Sequence, residues 1–256
     1  MLISVITINF NGVNRIEHTI KSVLEQTYDD LEYIVIDGCS TDGSIDIIRQ
    51  YDDEIDCLII EPDDGISDAM NKGLKNSTGE YIVFLHSDDV FENSESLLQA
   101  SKCIDNSQSI IACDVYYGQQ NIRYSNRGFN FWLNFKTGLM HQGILCPRKV
   151  FEQIGDFDKQ FKIAMDYDFF LRAYHNGIIL VKCPVVLSSM GDTGLSSKKD
   201  WQSLSNRFYE EKMVHNKNCR SFFMILAYKI YWPTYIYYWR IKNILYKLSF
   251  RNNSTW

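Results

Sequence analysis

The strongest constraint on this chain is an alternation of two periodicities through its first 125 residues. The runs Leu2 to Ile8, Tyr33 to Asp37, Cys57 to Ile60 and Tyr81 to Leu85 are almost continuously apolar and rich in Val, Ile and Leu. Between them, Val13 to Leu24, Ser44 to Tyr51 and Ile66 to Leu74 carry the spacing of amphipathic helices. Alternation of this kind predicts βαβ units, and strands with little polar alternation predict a mostly parallel sheet covered by helices on both faces. In open α/β sheets ligands bind beyond the carboxyl ends of the strands. The residues that close each run are therefore the ones to inspect: Asn9-Phe10-Asn11, Asp37-Gly38, Glu61-Pro62-Asp63-Asp64-Gly65 and His86-Ser87-Asp88-Asp89. They are polar and strongly acidic.

From about Ser109 to Val186 the pattern shifts to shorter strands, Ile110 to Tyr117, Gly143 to Cys146 and Ile178 to Cys183, with helices near Arg148 to Ile154 and Asp166 to Asn176. A long polar helix is predicted from about Asp200 to Asn216, followed by an aromatic-rich tail. The expected organisation is a catalytic or binding domain over residues 1–199, with a nucleotide-side half at 1–125 and a second half at 126–199. A helical appendage would occupy 200–256.

Charge supports that division. The 256 residues carry a net −6, yet no Asp or Glu follows Glu211 while eight Lys and Arg do, leaving −14 on residues 1–211. An acidic body argues against nucleic acid as its ligand. The seven cysteines are scattered singly, without a C-x-x-C pair or metal-ligand spacing, which favours a reducing cytoplasm. The N-terminal residues read as a strand rather than a signal peptide.

Two acidic residues directly after the strand Tyr81 to Leu85 suit a hard cation, Mg²⁺ or Mn²⁺, held by Asp88 and Asp89 with phosphate oxygens and water filling the other positions. The alternative for the same residues is a helix cap. Asp37 is placed to accept hydrogen bonds from a base or ribose, or to form an Asp-Gly turn. Asp42 reads as a cap for the helix that follows it. No G-x-G-x-x-G or G-x-x-x-x-G-K occurs, so phosphates would have to be handled by a metal. Asp166 and Asp168 stand about 200° apart on a helix and cannot both face one site. One is a candidate base while the other is exposed or pairs with Arg172; on spacing alone both read as an N-terminal cap and partners of the helix dipole.

Taken in order, these pieces resemble the family 2 glycosyltransferases of the A-type fold, in the bacterial branch that builds O-antigen and capsule polysaccharides. The resemblance spans about residues 1–190. It rests on Ser4 through Asn11, Ile36-Asp37-Gly38-Cys39-Ser40-Thr41-Asp42-Gly43, Asp64-Gly65 through Gly73, Gly79 through Leu85 leading into Asp88-Asp89, and Gly155-Asp156-Phe157-Asp158 before Asp166-Tyr167-Asp168. It implies a Rossmann-like, mostly parallel central sheet and an inverting, metal-dependent transfer of a sugar from a UDP-linked donor of the galactose or N-acetylglucosamine type. Thr7, Asn9 and Asp37 would contact the uridine, Asp68 and Asn71 would line its lower edge, and Asp89 helped by Asp88 would hold Mn²⁺ or Mg²⁺. Asp166 would be the base, although Met165 stands where relatives carry Glu. His86 stands where many carry another Asp. His141 and Gln142 match a His-Gln pair that implies placement near the acceptor or the donor sugar.

The tail, residues 221–251, mixes Tyr, Trp and Phe with Lys and Arg, and Lys229 and Pro233 interrupt its apolar run. It is expected to lie peripherally on the inner face of the bacterial cytoplasmic membrane, next to an acceptor saccharide carried on a polyprenyl diphosphate. A pair of helices packed on the body or in a homodimer interface is the competing arrangement. Two further readings of the whole chain are a non-catalytic nucleotide-sugar or saccharide-binding protein and a nucleotidyltransferase. The second normally shows a Gly-rich basic loop after the first strand, and Asn9-Phe10-Asn11-Gly12 is not one.

Overall fold

The computed structural model describes residues 1–105, 108–118, 120–191 and 200–252, with side chains through residue 245. They fall into two compact units, Met1–Asp192 and Thr193–Trp256. The boundary expected at residue 199 lies outside the described residues.

The first unit runs β1 (Ile3–Asn9), α1 (Ile16–Leu24), β2 (Leu31–Asp37), α2 (Ser44–Ile48) with a 3-10 extension, β3 (Cys57–Ile60), α3 (Ile66–Asn76), β4 (Tyr81–Phe84), β5 (Asp89–Phe91), α4 (Ser96–Ser101), β6 (Ile110–Tyr117), β7 (Ile122–Tyr124), β8 (Ile144–Pro147), α5 (Arg148–Ile154), α6 (Met165–His175) and β9 (Leu180–Met190). One nine-stranded sheet results, in the order β3-β2-β1-β4-β8-β6-β9-β5, with β7 on the side of β6. Its first four strands are parallel. Beyond β4 the sheet is mixed: β8 runs antiparallel to β4 and β6, β9 runs parallel to β6, and β5 runs antiparallel to β9.

β1 is buried along its whole length, which is why it reads as an unbroken apolar run. One face carries Ile3, Val5, Tyr33 and Val35 against Ile16, Ile20 and Val23 of α1, continuing to Leu97 and Ala100 of α4. Each such side chain contributes about 1.5–3 kcal/mol by leaving water. This core fixes the strands so that their carboxyl ends form one edge.

Three local expectations change. β9 extends to Met190, well past the expected end at Cys183, because Pro184 and Val185 are looped out as a bulge between the pairs Cys113↔Cys183 and Asp114↔Val186. Asp89 opens the short strand β5 rather than capping a helix. Cys103 and Cys183, separated by 80 residues, are joined in a disulfide. That bond departs from the reading of seven isolated thiols in a reducing compartment, and the separation of its halves hid it from spacing arguments.

The second unit is a pair of packed helices, α7 (Trp201–Asn218) and α8 (Phe222–Asn252). Asp200 caps α7 by accepting the Ser203 N–H at 3.0 Å. Tyr228 and Trp232 of α8 are buried, and Tyr228 stacks on His215 at 4.4 Å. Phe208 meets Tyr235 edge-on at 5.2 Å. Pro233 lies inside α8 rather than ending it. A proline there removes a backbone hydrogen bond at a cost of about 3 kcal/mol, which the aromatic packing on both sides offsets. No described helix is long and apolar enough to cross a membrane.

Candidate functional site

The carboxyl ends of β1 and β2 lie side by side in register, Asn9 opposite Asp37. The Asn9 amide donates to the Asp37 carboxylate at 2.6 Å. Asp37 also accepts the Ser40 N–H at 2.7 Å and the Ser40 hydroxyl at 2.8 Å. Ser40 Oγ in turn accepts the Asn11 N–H at 2.8 Å, and Thr41 N–H donates to Asn11 Oδ1 at 2.9 Å. The two loops are thereby locked together. Gly12 is required here, because a Cβ would stand 2.3 Å from Asn9 Oδ1 and 2.9 Å from Ser87 Oγ. A Cβ on Gly38 would meet Asp63 at 2.4 Å, so the loop after β3 closes onto the same edge.

Three of the expected donor contacts, Thr7, Asn71 and Asp68, have partners of their own within the protein. Thr7 is fully buried and its hydroxyl accepts that of the buried Tyr33 at 3.1 Å, so it offers a ligand no surface. Asn71 uses both ends of its amide on one backbone unit: it donates to the Phe157 carbonyl at 2.8 Å and accepts the Phe157 N–H at 3.0 Å. It is a staple between α3 and the segment before α6. Asp68 pairs with Lys159 at 2.9 Å and Lys72 at 3.3 Å. The Lys159 bond is the main force holding its carboxyl below the usual range. A cavity of about 490 Å³ lined by Asp68, Lys72, Arg148 and Lys159 lies on this face.

Across the edge, the turn after β4 brings three of the expected residues together. Asp89 is buried and its carboxylate accepts the His86 N–H at 3.1 Å. Burial, and after it the charge of Asp88, pushes Asp89 up to about 7, while His141 and a hydrogen bond from Gln142 act the other way. Asp88 is the more open carboxylate, 26 % exposed, and pairs with Arg15 at 3.3 Å. The 3-10 turn His141–Gly143 delivers the other half. His141 lies against His86 with ring centroids 4.5 Å apart. Gln142 therefore supports Asp89, and His141 faces the site.

α6 presents Asp166 at its first turn, where the helix dipole favours a carboxylate. Asp166 Oδ1 accepts the Tyr167 N–H at 2.6 Å, and Oδ2 lies 3.7 Å from His141 Nδ1, too far for a hydrogen bond. Asp166 remains 20 % exposed. Asp168, two residues on, points the other way: it is fully buried and holds Arg172 at 2.8 Å, whose guanidinium also binds the carbonyls of Gly155 and Asp156. The two carboxylates thus divide into one that is open and one that is structural.

Among the described residues of the first unit, only three buried side-chain polar atoms lack a partner: Asn9 Oδ1, His86 Nε2 and His141 Nε2. All three lie at this one edge, where interior polar groups are otherwise satisfied. Sequence reasoning missed the roles of Arg15 and Ser40. Ser40 was visible as part of the Asp37-to-Gly43 turn, whereas Arg15 meets Asp88 only through the fold. No group of three or more His, Cys, Asp or Glu suited to a metal occurs among the described residues. Asp88 and Asp89 nevertheless fit a hard cation of the kind that takes one or two carboxylates and draws its other ligands from phosphate and water.

This chain belongs to the glycosyl transferase family 2, whose model matches residues 4–171. It is 30 % identical over 230 residues to a glycosyltransferase of Rickettsia typhi, covering 82 % of this chain and 72 % of that one. A PGL/p-HBAD biosynthesis glycosyltransferase of Mycobacterium bovis is 28 % identical over 199 residues, covering 75 % and 78 %. Among solved structures, S. aureus TarS 1–349 in complex with UDP-GlcNAc superposes with TM-score 0.65 at 20 % identity, covering 85 % of this chain and 66 % of that one. The mannosyltransferase PcManGT of Pyrobaculum calidifontis, in complex with GDP-Man and Mn²⁺, gives 0.63 at 21 %, covering 91 % and 72 %. The curled, mostly parallel sheet flanked by helices is the fold these proteins share.

Proposed function

We propose that this family 2 glycosyltransferase is an inverting, metal-dependent hexosyltransferase that moves a galactose- or N-acetylglucosamine-type sugar from a UDP donor to a hydroxyl of a lipid-diphosphate-linked saccharide. The observation that carries the reading is the convergence on one strand edge of Asp88, His141 and Asp166 with the three unpartnered buried polar atoms. A nucleotide sugar supplies the donors and acceptors such atoms call for. UDP-GlcNAc on TarS and GDP-Man on PcManGT support a nucleotide-sugar donor, and the Mn²⁺ on PcManGT supports a metal.

In this reading the Asn9, Asp37 and Ser40 frame bounds the nucleoside pocket, with Asn9 Oδ1 free to accept from the base. Asp88, backed by Asp89, holds Mn²⁺ or Mg²⁺, which when bound neutralises charge on the diphosphate leaving group. Asp166 takes the proton from the acceptor hydroxyl as its oxygen attacks the anomeric carbon. His141, between Asp166 and His86, keeps that carboxylate oriented. A single displacement inverts the anomeric centre, so an α-linked donor gives a β-linked product.

The tail, residues 221–251, with five cations and no acid, supports peripheral contact with an anionic membrane. A homodimer through α8 is the alternative use of the same face. The reaction is proposed for the inner face of the bacterial cytoplasmic membrane, where nucleotide sugars are made, in the O-antigen or capsule branch of surface polysaccharide synthesis.

The test is nucleotide diphosphate release from a panel of UDP- and GDP-sugars with Mn²⁺, with and without a polyprenyl-diphosphate monosaccharide. Release that needs metal and acceptor and disappears in Asp88→Ala and Asp166→Asn supports the reading. Nucleotide-sugar binding without turnover on any acceptor turns it towards a binding protein.

A further inference from the structure

The catalytic unit carries a second region without acid. Between Asp114 and Glu152 the sequence has no Asp or Glu, although residues 1–211 as a whole carry −14; of its five cations Arg123 pairs with Asp114 and Arg148 binds the Gly79 carbonyl and Ser77, leaving Arg127, Lys136 and Lys149. Within it the 3-10 turn Phe131–Asn134 exposes two large rings, Phe131 at 56 % and Trp132 at 69 %. They cluster with Phe135 at centroid separations of 5.8 and 6.1 Å.

This turn is built rather than loose. Asn130 caps it by accepting the Trp132 N–H at 2.9 Å. Leu133 is buried and its carbonyl accepts the Tyr167 hydroxyl at 2.7 Å, while Asn134 Oδ1 lies 2.8 Å from His175 Nε2. Tyr167 and His175 both belong to α6, the helix whose first turn carries Asp166. The exposed rings are therefore fixed to the same rigid element as the carboxylate expected to act as base.

We propose that Phe131 and Trp132 dip into the surface of an anionic bilayer, so that the catalytic unit itself meets the lipid that carries the acceptor. The inference rests on the reading of a lipid-linked acceptor. Charge selects the occupant. An anionic surface repels an acidic body less where the chain runs without acid, and exposed aromatic rings with the exposed Arg127 and Lys136 close by in the chain are the composition that partitions to the headgroup boundary. A second copy would instead bring the same cations against each other.

The experiment uses the full chain, the Trp132→Phe variant and a Phe131→Ser/Trp132→Ser double variant. Vesicles of phosphatidylglycerol with brominated acyl chains should quench a component of tryptophan fluorescence that Trp132→Phe removes. The double variant should transfer about tenfold more slowly to a polyprenyl-diphosphate monosaccharide embedded in those vesicles. Its rate with the same head group on a short, water-soluble isoprenyl chain should match the wild type. Equal loss on both acceptors overturns the proposal in favour of a saccharide-stacking platform, as does quenching indifferent to Trp132 or a double variant unimpaired on both. A wild type that serves only the soluble acceptor and ignores the vesicles overturns the underlying lipid-acceptor reading as well.

Discussion

Two parts of the same strand edge are built on opposite rules. Where β1 and β2 end, Asp37 is surrounded by donors from Asn9 and Ser40, and its loops are bound to one another. Where β4 ends and α6 begins, His86 and His141 keep a buried nitrogen each without a partner, and Asp166 has one oxygen held by the Tyr167 N–H at 2.6 Å while the other stands 3.7 Å from the His141 ring. The first arrangement is a frame, stable before any ligand arrives. The second keeps hydrogen-bonding capacity in reserve, which a folded protein retains only where something is to be bound or transformed.

The contrast is broken most sharply at its chemical extreme. Asp166→Asn should lower turnover by about 10²- to 10⁴-fold while leaving nucleotide-sugar affinity unchanged, read as diphosphate release against calorimetric binding. An equal loss of affinity would place Asp166 in the frame instead. Asp37→Ala should act mainly on stability, by about 3 kcal/mol in urea unfolding, because it strands buried donors on Asn9 and Ser40. Asn71→Ala should cost about 2 kcal/mol by the same logic, through the lost pair of bonds to Phe157. His141→Phe should cost less than about 1 kcal/mol, since Nε2 has no hydrogen bond to lose and Nδ1 stands 3.7 Å from Asp166, beyond hydrogen-bond reach, yet it should slow transfer and alter its pH profile. A His141→Phe chain as unstable as Asp37→Ala would erase the distinction.

The smallest effect lies in the second unit. His215 is pushed down from 6.5 to about 3 by burial. The unfolded chain then binds more protons between those values, so the stability associated with a neutral His215 is complete above pH 6.5 and is lost as pH falls towards 3. Acid unfolding of His215→Phe followed by circular dichroism should show a shallower slope over that window.

Much of the frame was legible in the chain itself. Continuous apolar runs such as Ile3 to Ile8 declare buried parallel strands, and the polar residues that end them declare the edge. Asp166 and Asp168 were separable by helical geometry alone, and the Asp168–Arg172 pair bears that out. What was hidden depends on meetings at long range. Asn71 has the residue type of a ligand contact, and only the position of Phe157, 86 residues on, makes it a staple. Thr7 was implied as a contact by the resemblance, and a motif in sequence does not say how deep a hydroxyl lies. The bulge at Pro184 hid the second half of β9 by breaking an apolar run that the sheet does not break.

The strand order has a consequence for recombination. β8, from late in the first unit, is inserted between β4 and β6, and the early β5 closes the far edge beside β9. The halves expected at 1–125 and 126–199 are therefore woven through one another and share no cut point. Exchanging residues 126–199 with a relative would replace the strand that joins two parts of the donor's own sheet. Acceptor preference in such proteins is better transplanted through the loops at the sheet's edge than through blocks of chain.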